Sequence, residues 1–420
     1  GEWTHMAEAT AVAHQAIDVT LDFATQSIRG FTELDVEPPP GGTKFLKFHA
    51  HGLSISAASI NGFPVENLQL TSIQPKDASK QTKVWKDKKA KEAAASLADC
   101  IYQNFHEVLD QETRPNLELP ISDGMAGCEE MMWRVRIEFS SSGGEAAGSV
   151  GAHFWGEHWA QFVAQPGSNR TWFPCSNSRQ HRCTYVLRAT VPREMMAVCS
   201  GQLKQQMWTS GGQTRTLTYE LALPVLASQV GLSAGQVAPF PCYWPPNTDH
   251  STTQDAPQTG SLRRVNHRSN TCITHLVPPP CRPAAEATLG FLHLPFQLFE
   301  KHFGSVDFPL DFPFPTFTTA VLPAEAATLP VMPVAAASFI SADLLVDKRI
   351  FEQGVESRLQ IVESIAVQWF GVFMIAATPS DQWLLNGLAG HLTSLFIRRC
   401  MGFNEYAYRR FKEREAIVML

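Results

Sequence analysis

The chain has 420 residues, with 34 Lys and Arg against 40 Asp and Glu, for a formal charge of −6. Its hydrophobic share of 44% excludes wholesale disorder, and its apolar runs, such as residues 370–377, fall short of the ~20 residues of a membrane span. The small acidic balance excludes binding of nucleic acid by bulk charge, and the length suggests two or three domains at ~150 residues each. Nine cysteines without a C-x-x-C pair point to reduced thiols in an intracellular protein.

Residues 1–13 read as a disordered N-terminal segment with no secretory signal. From there to 238 the pattern is β. Residues 14–23 and 28–36 alternate apolar and polar, as half-buried strands do, and Pro38-Pro39-Pro40-Gly41-Gly42 closes the unit. Strands follow at 45–49, 53–60, 133–139, 184–191, 195–200 and 214–223, with Asn61-Gly62 as a hairpin turn. This predicts a β-sandwich or saddle-like sheet. A Lys/Ala/Glu-rich insertion at 76–115 interrupts it and reads as a solvated surface helix over 83–109. Residues 140–149 read as a Gly/Ser/Ala loop.

Residues 239–283 are rich in Pro, Ser and Thr and read as a linker or inserted loop, with a basic knot at 263–268. From 284 to 420 helical spacing dominates. Helices are expected within 284–303, 359–374 and 383–399, a Phe/Pro loop at 308–315, a strand at 317–322, and a basic terminal helix.

Several chemical signatures are absent: no phosphate loop, no G-x-G-x-x-G, and no G-x-S-x-G elbow. Cys175, His181 and Cys183 lack zinc-site spacing and read as ordinary strand and loop residues. His49 with His51, and His153 with His158, are lone pairs with the same reading.

The informative segment is Glu363-Ser364-Ile365-Ala366-Val367-Gln368-Trp369-Phe370-Gly371, followed by Trp383-Leu384-Leu385-Asn386-Gly387-Leu388-Ala389. These resemble the H-E-x-x-H-x-W-F-G and W-L-N-E-G-F-A motifs of zinc aminopeptidases of the gluzincin class. Trp172-Phe173-Pro174-Cys175 resembles part of that family's amino-terminal β-domain. The resemblance implies an aminopeptidase-like β-domain at 14–238, then a partial thermolysin-like, mainly helical domain at 284–420. The fold class is thus multidomain, β first and then α+β.

On a helix, residues i and i+4 share a face, so two His there reach one zinc and the intervening Glu polarises its water. Under the resemblance the ligand positions fall on Glu363, Val367 and Asn386, and the general-base position on Ser364. The amine-anchoring Glu of the family's G-x-M-E-N loop falls on Ser338. Valine has no lone pair and a neutral Ser cannot pair with an ammonium group. The expectation is a pseudoenzyme: no catalytic residues, no metal, no cofactor and no small-molecule substrate.

The chain is more similar to a non-catalytic branch, the TFIID subunit 2 family of TBP-associated factors, in its plant and algal forms. The resemblance runs through Gly30-Phe31-Thr32-Glu33-Leu34, His181-Arg182-Cys183-Thr184, Ala337-Ser338-Phe339-Ile340-Ser341 and Gly402-Phe403-Asn404-Glu405. It implies a nuclear scaffold subunit supporting core-promoter recognition near the initiator and assembly of the RNA polymerase II pre-initiation complex. Implied partners are TBP, other TBP-associated factors and core-promoter DNA, with no membrane. Candidate DNA contacts are Arg398, Arg399, Arg409, Arg410, Lys412 and Arg414, with the basic runs at 83–91 and 263–268. Two other readings stay open: a zinc aminopeptidase with a rearranged site, and a pseudo-peptidase adaptor outside TFIID. Gly1 and Leu420 read as the ends of an incomplete chain.

Overall fold

A computed structural model describes residues 9–38, 43–71, 114–122, 132–141, 152–162, 168–178, 181–209, 211–240, 271–305, 308–309 and 312–418. The expected surface helix at 83–109, most of the 140–149 loop and the basic knot at 263–268 lie outside these residues.

The first half is β throughout. In chain order the strands are β1 (Val12–Asp22), β2 (Ser27–Val36), β3 (Phe45–Phe48), β4 (Ser54–Ile60), β5 (Phe63–Pro64), β6 (Gln69–Leu70), β7 (Leu117–Pro120) and β8 (Trp133–Ser141). Then come β9 (Ala152–Trp155), β10 (Trp159–Phe162), β11 (Cys183–Pro192), β12 (Met196–Cys199), β13 (Gln202–Trp208), β14 (Thr214–Val225) and β15 (Leu232–Gly235). Eight of them form one sheet in the order β13-β14-β11-β1-β2-β8-β4-β5. Only β1 and β11 pair in parallel there. A second sheet runs β12-β15-β10-β9 and a third β3-β7-β6.

The alternation seen in sequence is the reason for this packing. Ile17, Val19 and Leu21 of β1, and Val135, Ile137 and Phe139 of β8, all point into the core. The four-stranded sheet packs against the large sheet. Tyr219 on β14 donates its hydroxyl to the Ala197 carbonyl on β12 at 2.8 Å, and Phe23 meets Phe154 edge-on. Gly30 is required by close approach: a Cβ there would lie 1.9 Å from the Asp18 carbonyl oxygen. Asn61 and Gly62, at φ 51° and 86°, make the two-residue β4–β5 turn, the left-handed pair that suits a tight hairpin.

The second half opens with a five-stranded sheet, β16-β17-β20-β22-β21. Its strands are β16 (Ala238–Phe240), β17 (Cys272–Val277), β20 (Thr316–Leu322), β21 (Val331–Val334) and β22 (Ala337–Ser341); β18 (Gly304–Ser305) pairs with β19 (Phe308–Pro309) beside it. The helices are α1 (Arg282–Leu289), α2 (His293–Phe303), α3 (Phe351–Trp369), α4 (Gln382–Phe396) and α5 (Phe403–Val418).

Several expectations are corrected. Val12 and Ala13 belong to β1, because Val12 pairs with Val36, so the N-terminal segment does not reach residue 13. The stretch 239–283 is not simply a connection. β16 and β17 are sheet members, and β17 pairs in parallel with β20, a partner distant in sequence. The last third is less helical than its periodicity suggests, because β21 and β22 supply an antiparallel edge to the sheet. Helix α3 starts before 359 and stops at Trp369, before the turn at Gly371 (φ 150°). Helix α4 ends at Phe396 and runs on into a wide turn at Ile397–Met401.

One hydrophobic cluster joins the halves, from Val12 and Ile17 through Phe173 to Trp369 and Ile397. A smaller one packs Val198 against Leu276, Met332 and Phe339. Among the described residues no helix is long and apolar enough to cross a membrane.

Candidate functional site

Helix α3 lies against the β21–β22 hairpin and α4. Its buried stripe includes Ile361, Val362, Ser364, Ile365, Gln368 and Trp369. Trp369 is fully buried, with Phe312, Phe299 and Phe296 at centroid distances of 5.0, 5.9 and 6.4 Å. The Phe299 and Phe312 contacts are edge-on and add to the burial of the ring itself. The conspicuous Gln368-Trp369-Phe370-Gly371 run is therefore a packing element.

Gln368 is fully buried and fully used. Its Oε1 accepts the Ala336 N–H at 3.1 Å, and its Nε2 donates to the carbonyls of Val334 (3.0 Å) and Ala337 (3.3 Å). The turn it holds keeps Ala336 at φ 63°, unusual for a residue with a Cβ. Gln229, from the first half, approaches the same place. Its Nε2 donates to the carbonyls of Gly371 (2.6 Å) and Val372 (3.1 Å), its Oε1 accepts the Leu226 N–H, and its own carbonyl accepts the Ala335 N–H at 2.8 Å. Neither glutamine role was read from sequence. The signal for Gln368 was a polar residue inside an apolar stripe; Gln229 carries no local signal.

The positions that motif resemblance assigns to catalysis are dispersed by burial. Glu363 is exposed on α3 and Asn386 is exposed on α4. Asn386 accepts a hydrogen bond from Gln382 Nε2 at 3.1 Å, within its own helix. Val367 is half-buried and packs over Gly371, where an added Cβ would meet its Cγ1 at 3.0 Å. Ser364 faces the sheet instead. Its hydroxyl donates to the Ile361 carbonyl at 2.7 Å and accepts from Ser338 at 3.1 Å. Two hydroxyls that satisfy each other in a dry interface have no base beside them to withdraw a proton.

Ser338, where the resemblance places a lost amine anchor, lies inside the sheet. It is 0% exposed on the inner strand β22, whose residues are all buried, so its side chain reaches no open surface where a substrate amine would bind. The register of a buried strand, invisible in an alanine-rich sequence, decides this.

Several of the lone His and Cys candidates are engaged in the fold. His49 Nδ1 accepts the Asn177 N–H at 3.1 Å, and its backbone pairs with Cys175. Burial pushes the Cys175 thiol far above its ordinary range and the Cys183 thiol up to about 12, so neither is a ready thiolate. His153 stacks on Trp155. Among the described residues no three His, Cys, Asp or Glu side chains gather as a metal-binding group.

The terminal basic residues split into two groups. Arg409 is held by Glu356 and by Glu405 (2.7 Å); Arg410 bonds Ser394 and Glu413, and Lys412 lies 3.7 Å from Glu415. Arg398 lies over the rings of Phe403 and Tyr406, and Arg414 over Phe411. Four basic residues on α5 stand beside three acidic ones. Helix α5 is thus a nearly neutral face, in place of the basic strip expected.

A cavity of about 340 Å³ lies between Gly201, Lys204 and Leu223 of the first half, Phe314 of the Phe/Pro loop and Ala336.

No family model matches the chain. Among curated proteins it is similar to transcription initiation factor TFIID subunit 2 of Drosophila melanogaster, 26% identical over 94% of this chain and 30% of that protein. The subunit 2 of Danio rerio is 25% identical over 97% of this chain and 32% of its own length. The chain thus spans about a third of the length of these relatives. Among solved structures, an M1 zinc metallopeptidase from Deinococcus radiodurans aligns with TM-score 0.64 and 15% identity, covering 97% of this chain and 75% of that one. Leukotriene A4 hydrolase from Saccharomyces cerevisiae aligns with TM-score 0.67 and 12% identity, over 96% of this chain and 50% of its own.

Zinc belongs to the metallopeptidase neighbour by name, and the residues at the positions that motif resemblance assigns to its ligands do not make a zinc site. Glu363 offers a carboxylate, Val367 offers nothing, and the Asn386 amide is engaged within α4. The chain resembles TFIID subunit 2 in sequence along almost its full length, and it carries the fold of M1 zinc metallopeptidases.

Proposed function

We propose that the chain is the aminopeptidase-like part of a non-catalytic TFIID subunit, working as a scaffold in the nucleus. The observation that carries this reading is the sequence match to TFIID subunit 2 over nearly the whole chain, from insect to fish. On this reading Glu363, Ser364, Val367 and Asn386 are degenerate catalytic positions. The groups of a working site have given way to packing, and an apolar Val367 leaves no polar atom unpaired. The two-domain division, β at 14–238 and thermolysin-like at 284–420, belongs to the same proposal. Partners are TBP and other TBP-associated factors, and within the assembled complex core-promoter DNA. Arg398, Arg399 and Arg414, which form no ion pair among the described residues, are better DNA candidates than Arg409 and Arg410.

Immunoprecipitation of the endogenous protein from nuclear extract tests this. Recovery of TBP with it is expected. Recovery free of TBP and confined to cytoplasm would overturn the assignment. Elemental analysis of purified protein tests the pseudoenzyme claim separately. Stoichiometric zinc lost in Glu363→Gln, together with cleavage of aminoacyl substrates, would favour the peptidase reading that the fold alone suggests.

A further inference from the structure

Strand β13 is an edge of the eight-stranded sheet, and it is exposed along nearly its whole length. An edge strand presents alternate N–H and C=O groups that another strand can take up. Soluble proteins commonly guard such edges with prolines or unpaired charges. β13 has no proline, its one charged residue, Lys204, is 3.6 Å from Glu220 on β14, and its register with β14 shifts between Leu203 and Gln205, so the regular open edge is Gln205–Trp208. Leu203, Met207 and Trp208 are 41%, 55% and 51% exposed.

The end of the strand has a charge signature. The Trp208 ring lies 5.4 Å from the Arg215 guanidinium and 5.9 Å from that of Arg193. Trp208 and Arg215 are directly opposite across β13 and β14. Arg193 follows β11 in the turn toward β12, and Arg215 donates its Nε to the Met195 carbonyl. Among the described residues neither guanidinium has a carboxylate partner. Burial pushes the Arg215 pKa down.

We propose that β13 receives an extended acidic peptide segment from another polypeptide, paired along the free edge with a carboxylate between Arg193 and Arg215. The backbone edge supplies affinity without sequence preference, Leu203 and Met207 supply apolar contact, and the arginine pair fixes register. Nucleic acid fits less well. Two cations at one end of a strand make few phosphate contacts, and a phosphate backbone has no use for a β edge or for Met207. This surface stands independently of the TFIID reading.

The test is fluorescence anisotropy of the 420-residue chain with a labelled peptide alternating Glu and Val. A peptide alternating Lys and Val and a short DNA duplex serve as comparisons. Saturable binding of the Glu peptide alone is expected, accompanied by a shift in tryptophan emission. Arg193→Glu is expected to weaken it about tenfold or more. Trp208→Ala is expected to remove the emission change and weaken binding, and both variants should keep the parent melting temperature to within a few degrees. Equal binding of the Lys peptide, no saturable binding of the Glu peptide, or unchanged binding by Arg193→Glu would overturn the proposal. So would duplex DNA binding that is lost in the same variants, or self-association of the chain that Trp208→Ala abolishes.

Discussion

The side chain of Gln368 on α3 accepts the backbone N–H of Ala336 at 3.1 Å, holding a non-glycine residue in a left-handed turn. The same side chain donates to carbonyls on both sides of that turn. Gln368→Leu has similar bulk and removes all three bonds, leaving a buried N–H and two carbonyls without this partner. The expected cost is about 2–4 kcal/mol, read as a lower urea midpoint with unchanged slope. Gln368→Glu should also destabilise, because a buried carboxylate cannot donate to Val334 and Ala337.

Val367 and Gly371 should behave as a coupled pair. Gly371→Ala places a Cβ 3.0 Å from Val367 Cγ1, at a φ of 150° that favours glycine. It is expected to destabilise by about 2 kcal/mol, and Val367→Ala alone by about 1 kcal/mol. The double variant should cost less than the sum by at least ~0.5 kcal/mol, since the second change removes the clash of the first. Additive values in a denaturation cycle would mean that the two side chains do not share this space.

His275 makes stability depend on pH. It is fully buried on β17, bonded to Thr319 on β20, and burial pushes its pKa from 6.5 down to about 4. The unfolded chain therefore takes up a proton near pH 6.5 that the folded chain resists until about pH 4. The contribution is complete above 6.5 and is lost as pH falls through that window. It amounts to about 3 kcal/mol at most. Melting temperature should drop between pH 7 and 4, and His275→Asn should flatten that part of the profile.

Arg409 should matter to the fold of the last helix more than to any nucleic acid. It ties α5 to Glu356 on α3, and Glu356 is the leading cause that raises its pKa. Arg409→Ala is expected to lower stability by up to about 1 kcal/mol, given its partial exposure. Arg414 forms no ion pair among the described residues, so Arg414→Ala is expected to leave melting unchanged. If DNA binding is detected for the assembled complex, its salt slope should fall with Arg414→Ala.

Much of the first half was legible because β1, β2, β8 and β11 alternate so regularly that one face had to be buried. β21 and β22 were not, since Val331-Met332-Pro333-Val334 and Ala337-Ser338-Phe339-Ile340-Ser341 are short and contain alanine, serine and proline, which carry little strand signal. β17 was obscured by neighbouring prolines and by a parallel partner, β20, that no local pattern announces. The motif tail at Gln368-Trp369-Phe370-Gly371 was noticed for its likeness to a catalytic helix. Its physical role, holding a turn and filling an aromatic pocket, depends on residues brought together only by folding. The burial of Ser338 was not legible either, because an alanine-rich segment does not announce the register of an inner strand.

Gln229 bears on mechanics. One side chain from the β half grips the end of α3 at Gly371 and Val372, while its backbone carbonyl takes the Ala335 N–H and Gly201 donates to the Ala335 carbonyl. Buried bonds of this kind have no gradual intermediate lengths: they are made or they are broken. The two halves therefore resist sliding by small increments, and loads applied at one are transmitted to the other through this riveted seam.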